Sequence, residues 1–448
     1  MTLVATPEAP LDRALRQPPP ARVAAPRARA DSGLAGALIR MGSIVASTLL
    51  GLVLARWLGA AELGRFDAAL GWAGLVGVAA VAGLDRLLVR VAAASSATGD
   101  HGHVRGVFDW SGRRLLLASA LCAGASLPLA LVVDASARGL VLAVGLLFVP
   151  CAAAMRWCAA GLSGFGRVGA AQAIELVLAP VLTLLALALA RGFSAIDAET
   201  AIVCQGLAMG AAVLVAWRRL RAATPPTVRD STPQFDRVAW RMAMVSLTAI
   251  ALLQILHAKA DIVLFAALVD DHEVGCFGVA ARLANLINVA LLVANAVLAP
   301  RLARAHALGA HDELRRDAVR AARVATAFAL PLGLAMILAA SPLLQLFGDE
   351  YAAAREALVP LVIGQVVNVA MGSVGLVLLM TGHERPALVG LAVGVVVDLL
   401  LLPWLAPRFG ATGAAIARAA GLVAWNLALA CALRRRLGFG VEAFSRLP

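Results

Sequence analysis

Twelve stretches of this 448-residue chain run for about twenty residues each with little charge, the length needed to cross a bilayer. They fall at 34–55, 67–89, 115–133, 139–158, 169–190, 198–217, 240–268, 275–300, 322–347, 354–380, 386–406 and 410–433. No single water-soluble domain could bury them all. In lipid, each must satisfy its own backbone hydrogen bonds, so each is a helix. The fold class expected is an all-α polytopic membrane protein with about twelve transmembrane helices. Composition agrees: 61% of residues are hydrophobic, against about 45–50% in soluble domains.

Arginine sets the expected orientation. With the N-terminus inside, 28 of the 39 basic residues fall in inner segments and six in outer loops. Positive charge stays on the cytoplasmic side, so both termini are expected there. Residues 1–33, rich in Pro and Arg, read as a disordered basic tail. Residues 34–220 and 239–436 read as six-helix bundles, 221–238 as a cytoplasmic linker and 437–448 as a cytoplasmic tail.

The bundles are copies of one another. Shifted by 211 residues, ELGRFDAAL (62–70) falls on EVGCFGVAA (273–281), with 11 identities over 31 positions. Glu62, Gly64 and Phe66 meet Glu273, Gly275 and Phe277, and Arg90 meets Arg301. Six helices separate the copies, so both point the same way and are related by a pseudo-two-fold axis along the membrane normal. Transporters built in this way hold substrate between the halves. Gly59, Gly64 and Gly275 are expected to allow tight hairpin turns. Glu62 and Glu273 are expected to cap the helices that follow them.

Several segments carry a resemblance: LARWLGAAELGRF (54–66), ADIVLFAALVDDHEVGCFGVAARLANL, LLQLFGDEYAAAREAL, LLMTGHERPALVG and APRFGATGAAIARA. Over about residues 35–435 the chain resembles Wzx-type flippases of the multidrug/oligosaccharidyl-lipid/polysaccharide exporter superfamily. The resemblance implies an alternating-access transporter of the bacterial inner membrane, not an enzyme. Its substrate would be undecaprenyl-pyrophosphate-linked oligosaccharide, moved from the cytoplasmic to the periplasmic leaflet for polysaccharide biosynthesis. It implies no cofactor, metal or nucleic acid. Its partners would be membrane lipid and the polymerase and glycosyltransferases of the same pathway. The alternative is an ion-coupled small-molecule exporter of the same superfamily, with Asp85, Glu175 or Asp261 as the ion site. A membrane glycosyltransferase would need a long catalytic outer loop, and every outer loop here is short.

Charge inside a span is costly and marks a site. AGLDRLLVR (82–90) places Asp85, Arg86 and Arg90 in an apolar run. Asp85 and Arg86 fall on Ala296 and Val297 of the second copy, as a one-sided binding site would. Depth from the hairpin turns pairs Arg40 with Asp85, Asp261 with Arg282, and Asp398 with Arg418, the last as a structural ion pair. The cations expected around a pyrophosphate are Arg40, Arg86, Arg90, Arg156, Lys259 and Arg282, since Arg meets phosphate oxygens two at a time. Gln172, Glu175, Gln205, Asn285, Asn288, Asn295, Gln365, Asn368 and Asn426 could face sugar hydroxyls or bond neighbouring helices. GFGRVG (164–169) follows no strand and lies in a short turn, so it is no dinucleotide fingerprint. The six scattered cysteines fit no metal site or disulfide framework.

Overall fold

The computed structural model describes residues 31–133, 137–193 and 195–445. Most of the expected N-terminal tail lies outside the described residues. Helix α1 (Asp31–Leu58) is followed by α2, which is broken into Ala60–Val81 and Leu84–Thr98, and by α3 (His101–Val133). Helix α4 comprises Ala137–Leu147 and Val149–Gly164. Helix α5 runs from Val168 to Arg191 through a π-helical turn at Ile174–Leu178, and α6 is Ala198–Ala223. In the second half, α7 is Arg237–Ala266, α8 is Asp271–Asn285 plus Asn288–Ala307, and α9 is His311–Leu338. Helix α10 comprises Arg355–Met371 and Val374–Met380. Glu384–Leu437 folds back at Gly410 (φ 52°) into α11 (384–409) and α12 (411–437).

Among the described residues, eight helices are long and apolar enough to cross a membrane, or nine if the two parts of α8, bent by 44°, count as one span. The hairpin at Gly410 divides one of these into two. Helices α2 and α3 complete the set and carry charges that lower their hydropathy, such as Glu62, Arg65 and Asp67 in α2 and Arg105, Asp109, Arg113 and Arg114 in α3. Both extend beyond the expected spans because their amphipathic ends stay helical outside the apolar window.

Helices α1–α6 form an N-lobe and α7–α12 a C-lobe. The lobes meet at the end that carries the α1–α2 and α7–α8 turns, called here the distal end. One apolar core joins both lobes there, through Leu63, Phe66, Phe277 and Tyr351. Towards the proximal end, where the linker lies, the cores separate. Leu88, Met155 and Leu162 belong to the N-lobe core, and Leu302, Leu314 and Leu433 to the C-lobe core. The molecule is therefore closed distally and split proximally.

The distal closure is pseudo-symmetric. A Cβ on Gly64 would lie 1.9 Å from the Asp271 carbonyl oxygen, and one on Gly275 would lie 2.0 Å from that of Ala60. Ala60 and Asp271 are themselves 211-residue mates. Gly64 and Gly275 thus serve a helix crossing between lobes, where small residues let backbones touch. They do not shape the hairpin turns as expected. Gly59, at φ 80°, does occupy such a turn.

The two glutamates cap, but not their own helices. Glu62 accepts from Ala198 N (3.1 Å) and Glu273 from Ala411 N (2.6 Å). Each closes the N-terminus of the sixth helix in its own lobe, where unpaired N–H groups and the dipole favour an anion. Asp197 caps α6 as well, and hydrogen bonds from Thr200 hold its carboxyl below the usual range. Across the lobes, Arg56 donates to Leu346 O (2.8 Å) and Tyr351 to Ala55 O (3.1 Å).

Linker and tail are both docked. In the linker, Gln234 N bonds Gly102 O at 2.9 Å, and Arg105 donates to Ser231 O at 2.6 Å. A Cβ on Gly106 would lie 1.8 Å from Gln234 O, so this glycine admits the strap. At the C-terminus, Glu442 is fully buried and pairs with Arg434 at 3.0 Å. Arg323 bonds the Ala443 and Ser445 carbonyls. Residues 438–445 therefore fold back onto the C-lobe instead of trailing free.

Candidate functional site

Helix α7 stands between two polar cavities. Ala251, Gln254, Ile255 and Lys259 recur at helical spacing and face the N-lobe side. His257 faces the C-lobe side. The N-lobe cavity, of about 500 Å³, brings together Asp85, Arg86, Arg156, Gln172, Glu175 and Gln254. A second cavity of about 250 Å³ shares Arg156 with it and reaches Lys259 between glycine-lined faces of α2, α4 and α6.

The break in α2 builds the first cavity. Ala82 and Gly83 both have positive φ, 46° and 71°. Leu247 of α7 packs against Gly83, where a Cβ would come within 2.8 Å of its own Cβ. A new helix therefore starts at Leu84, within the membrane. Its N-terminal amides are free of helical partners, and Asp85 accepts from Arg86 N at 2.9 Å. Asp85 is thus partly a local cap and makes no ion pair with Arg40 among the described residues. Arg86 extends to Gln254 of α7, a neutral partner. Opposite, Glu175 sits in the π-helical turn of α5, within electrostatic range of Arg156 and Asp85. π-Turns concentrate at functional positions because they re-aim side chains.

The remaining candidates lie elsewhere. Arg40 and Arg90 line neither cavity, and Arg90 is exposed, as is its mate Arg301. Both of the latter suit anchors at a membrane interface. Arg282 pairs with Asp67 at 2.5 Å, not with Asp261. Gly278 leaves room for that pair, since a Cβ there would lie 2.5 Å from Asp67 Oδ2. Arg65 reaches Glu62 at 2.6 Å and Asp271 at 3.3 Å, so both arginines tie α2 to α8 across the distal closure. Arg418 pairs with Asp261 of α7, not with Asp398. Asp261, Arg282, Asp398 and Arg418 all lie about ten residues from a distal turn, so depth cannot choose among them. Side-chain placement chooses instead for Arg418, because both α7 and α11 pack on α12, and the crossing of α8 over α2 chooses for Arg282.

Asp261 is 3% exposed. Removing one member of such a pair strands a buried charge, at about 3–5 kcal/mol in soluble proteins. Asp261→Ala and Arg418→Ala are each expected to lower the melting temperature and the folded yield. The double variant is expected to recover part of the loss. A double variant no better than the worse single one would refute the pairing.

In the C-lobe the amides bond one another across helices. Gln365 donates to Asn285 (2.8 Å), Asn368 to Asn288 (3.3 Å) and Asn426 to Asn368 (2.9 Å). Asn285, Asn288, Gln365 and Asn368 line a cavity of about 290 Å³ with Asp398, Arg418 and Trp425. Asn285 and Asn288 also line a cleft of about 350 Å³ between α1 and α8, beside Ser47, Thr48 and Arg282. Gln205 faces the cavity that holds Lys259. Among the described residues, no His, Cys, Asp and Glu cluster could hold a metal ion.

This architecture is shared with known proteins. The MatE family matches residues 247–404, which cover most of the C-lobe. No curated protein matches by sequence. Among solved structures, an inward-facing multidrug resistance MATE family transporter of the MOP superfamily aligns over 90% of this chain and 98% of its own, with TM-score 0.73 and 16% identity. The chain shares the fold of that transporter. Lipid II flippase MurJ, in an inward closed conformation, aligns over 89% of this chain and 87% of its own, with TM-score 0.71 and 10% identity. An outward-facing MATE family transporter gives a lower TM-score of 0.61, at 15% identity over 91% of this chain and 95% of its own.

Proposed function

We propose that the protein flips a lipid-linked oligosaccharide across the bacterial inner membrane by alternating access, binding the pyrophosphate in the N-lobe cavity. The proximal end, with the linker and termini, then faces the cytoplasm, as the arginine distribution requires. The observation that carries the reading is the placement of Arg86 and Arg156 on one cavity, beside the N-terminus created by the break at Ala82–Gly83. Neither arginine makes an ion pair among the described residues. Two guanidiniums beside a helix start offer charge-assisted donors that a pyrophosphate can take two at a time. Asp85 and Glu175 on the same wall keep the empty cavity close to neutral.

The ion-coupled exporter is the second reading. It rests on the MatE match and on the likeness to multidrug transporters, and it would give Asp85 and Glu175 the leading role. One experiment separates the two. Each charge-assisted hydrogen bond lost from the headgroup weakens binding by about 1.5–3 kcal/mol. Arg86→Ala is therefore expected to cut flipping of lipid-linked oligosaccharide in proteoliposomes at least about tenfold, with Arg86→Lys intermediate. Wild-type flipping by Arg86→Ala at equal reconstitution would reject the headgroup site. Export of a cationic dye that Asp85→Asn abolishes and Arg86→Ala spares would favour the exporter.

A further inference from the structure

The C-lobe cavity has no part in the headgroup reading, yet two of its groups lack partners. Its amide oxygens are occupied: those of Asn285, Asn288, Asn295 and Asn368 each accept a hydrogen bond from a neighbouring helix. Asp398 Oδ1 and Trp425 Nε1 are buried and unpartnered on the same wall. One can only accept and the other can only donate, and each is costly until a ligand meets it. The Asp398 side chain belongs to a residue only 9% exposed.

The fold holds both groups in place. Helices α11 and α12 touch at two glycines, where a Cβ on Gly421 would lie 2.8 Å from Asp398 Cβ and one on Gly394 would lie 2.7 Å from Trp425 Cβ. His257 of α7 stands edge-on to the Trp425 ring at 4.7 Å and fixes its plane. The other charged group on this wall is Arg418, already paired with Asp261. These neighbours disfavour a metal cation. An indole N–H cannot ligate one, and a guanidinium repels it. A sugar fits the same features. A hydroxyl both donates and accepts, and an indole face covers the apolar side of a pyranose ring. At about 290 Å³ the cavity lies near the lower end of ligand sites, which run from about 300 to 1,000 Å³.

We propose that this cavity is the sugar-specificity subsite, in which hydroxyls of one glycan ring accept from Trp425 Nε1 and donate to Asp398. The proposal rests on the headgroup reading above. The pyrophosphate occupies the N-lobe cavity, and the glycan reaches past α7, about 10 Å across, to the C-lobe.

The test is binding of two kinds of probe to the purified full-length protein in nanodiscs. One is bare undecaprenyl pyrophosphate. The other is a panel of undecaprenyl-pyrophosphate trisaccharides, long enough to pass α7, whose outermost ring is glucose, galactose, N-acetylglucosamine or N-acetylgalactosamine. At least one glycosylated probe is expected to bind about tenfold or more tightly than the bare anchor. Asp398→Asn and Trp425→Phe, which keep shape and stacking, are expected to remove most of that increment and leave the affinity for the bare anchor unchanged. Variants that retain the increment would overturn the proposal, as would a panel in which no sugar adds affinity. Stabilisation of the wild type but not of Asp398→Asn by Na⁺ alone would make the cavity a cation site instead. Failure of the bare anchor to bind would overturn the headgroup reading itself, which separates the two outcomes.

Discussion

Gly64→Val is expected to leave almost no folded protein in the membrane, and Gly275→Val to do the same. At each position an added Cβ would lie about 2 Å from a carbonyl oxygen of the opposite lobe, closer than any real contact. The opposing atoms are backbone, so no side chain can rotate away. The crossing would have to open, and with it would go the core around Leu63, Phe66, Phe277 and Tyr351. The Arg65–Asp271 and Arg282–Asp67 pairs would also be pulled apart, leaving carboxylates and guanidiniums stranded in an apolar seam. Gly210→Ala supplies the control. That glycine lies in α6 with nothing within 4 Å of its would-be Cβ, and Ala favours a helix over Gly by about 1 kcal/mol. Its yield is expected to match or exceed the wild type. Monodisperse yield of a fluorescent fusion, read by size-exclusion chromatography, checks all three variants. Wild-type yield from Gly64→Val would mean that the lobes do not meet at this crossing.

The sequence already displayed the parts of this fold that depend on one dimension. Twelve apolar windows, the 211-residue repeat and the long polar linker fall where the helices and lobes of the structure fall. Charges within spans were also visible, because a lone Arg in an apolar run needs no neighbours to be noticed. Asp85, Arg86, Arg156 and Glu175 were visible in that way, and the structure brings them to one cavity.

Partners were not legible. Glu62 and Glu273 carried the right chemistry for caps, but the helix ends they close lie about 136 and 138 residues away in sequence. The ion pairs went astray for a similar reason. Equal depth made Asp261 and Asp398 equivalent partners for Arg418, and since both α7 and α11 pack on α12, only the side-chain placement distinguishes them. Gly64 and Gly275 stood out in the repeat, yet a glycine at a crossing and a glycine at a turn look alike in a string of letters. The break at Ala82–Gly83 was hidden because glycine is common in transmembrane helices and usually leaves them intact. The tail gave one overlooked sign: Glu442, an acid placed eight residues after Arg434, to which it bonds.

Locking the distal end is expected to stop transport. Under the proposed alternating access, the split proximal cores and the shared distal core would be one state of the cycle, and the opposite state would require α2 and α8 to part at the Gly64–Gly275 crossing. Two interlobe ion pairs and the Tyr351–Ala55 bond would break as they part. Their loss must be offset by closure at the proximal end, as rocking of two parallel bundles provides. Ala61 and His272, which are 211-residue mates, flank that crossing in the distal turns and carry none of these contacts. The most direct measurement is flipping of lipid-linked oligosaccharide by Ala61→Cys/His272→Cys in proteoliposomes, before and after a short cleavable crosslinker. The rocking mechanism predicts that crosslinked protein transports at least about tenfold more slowly, that cleavage of the linker restores the rate, and that single-cysteine variants are unaffected. Undiminished transport by fully crosslinked protein would contradict it.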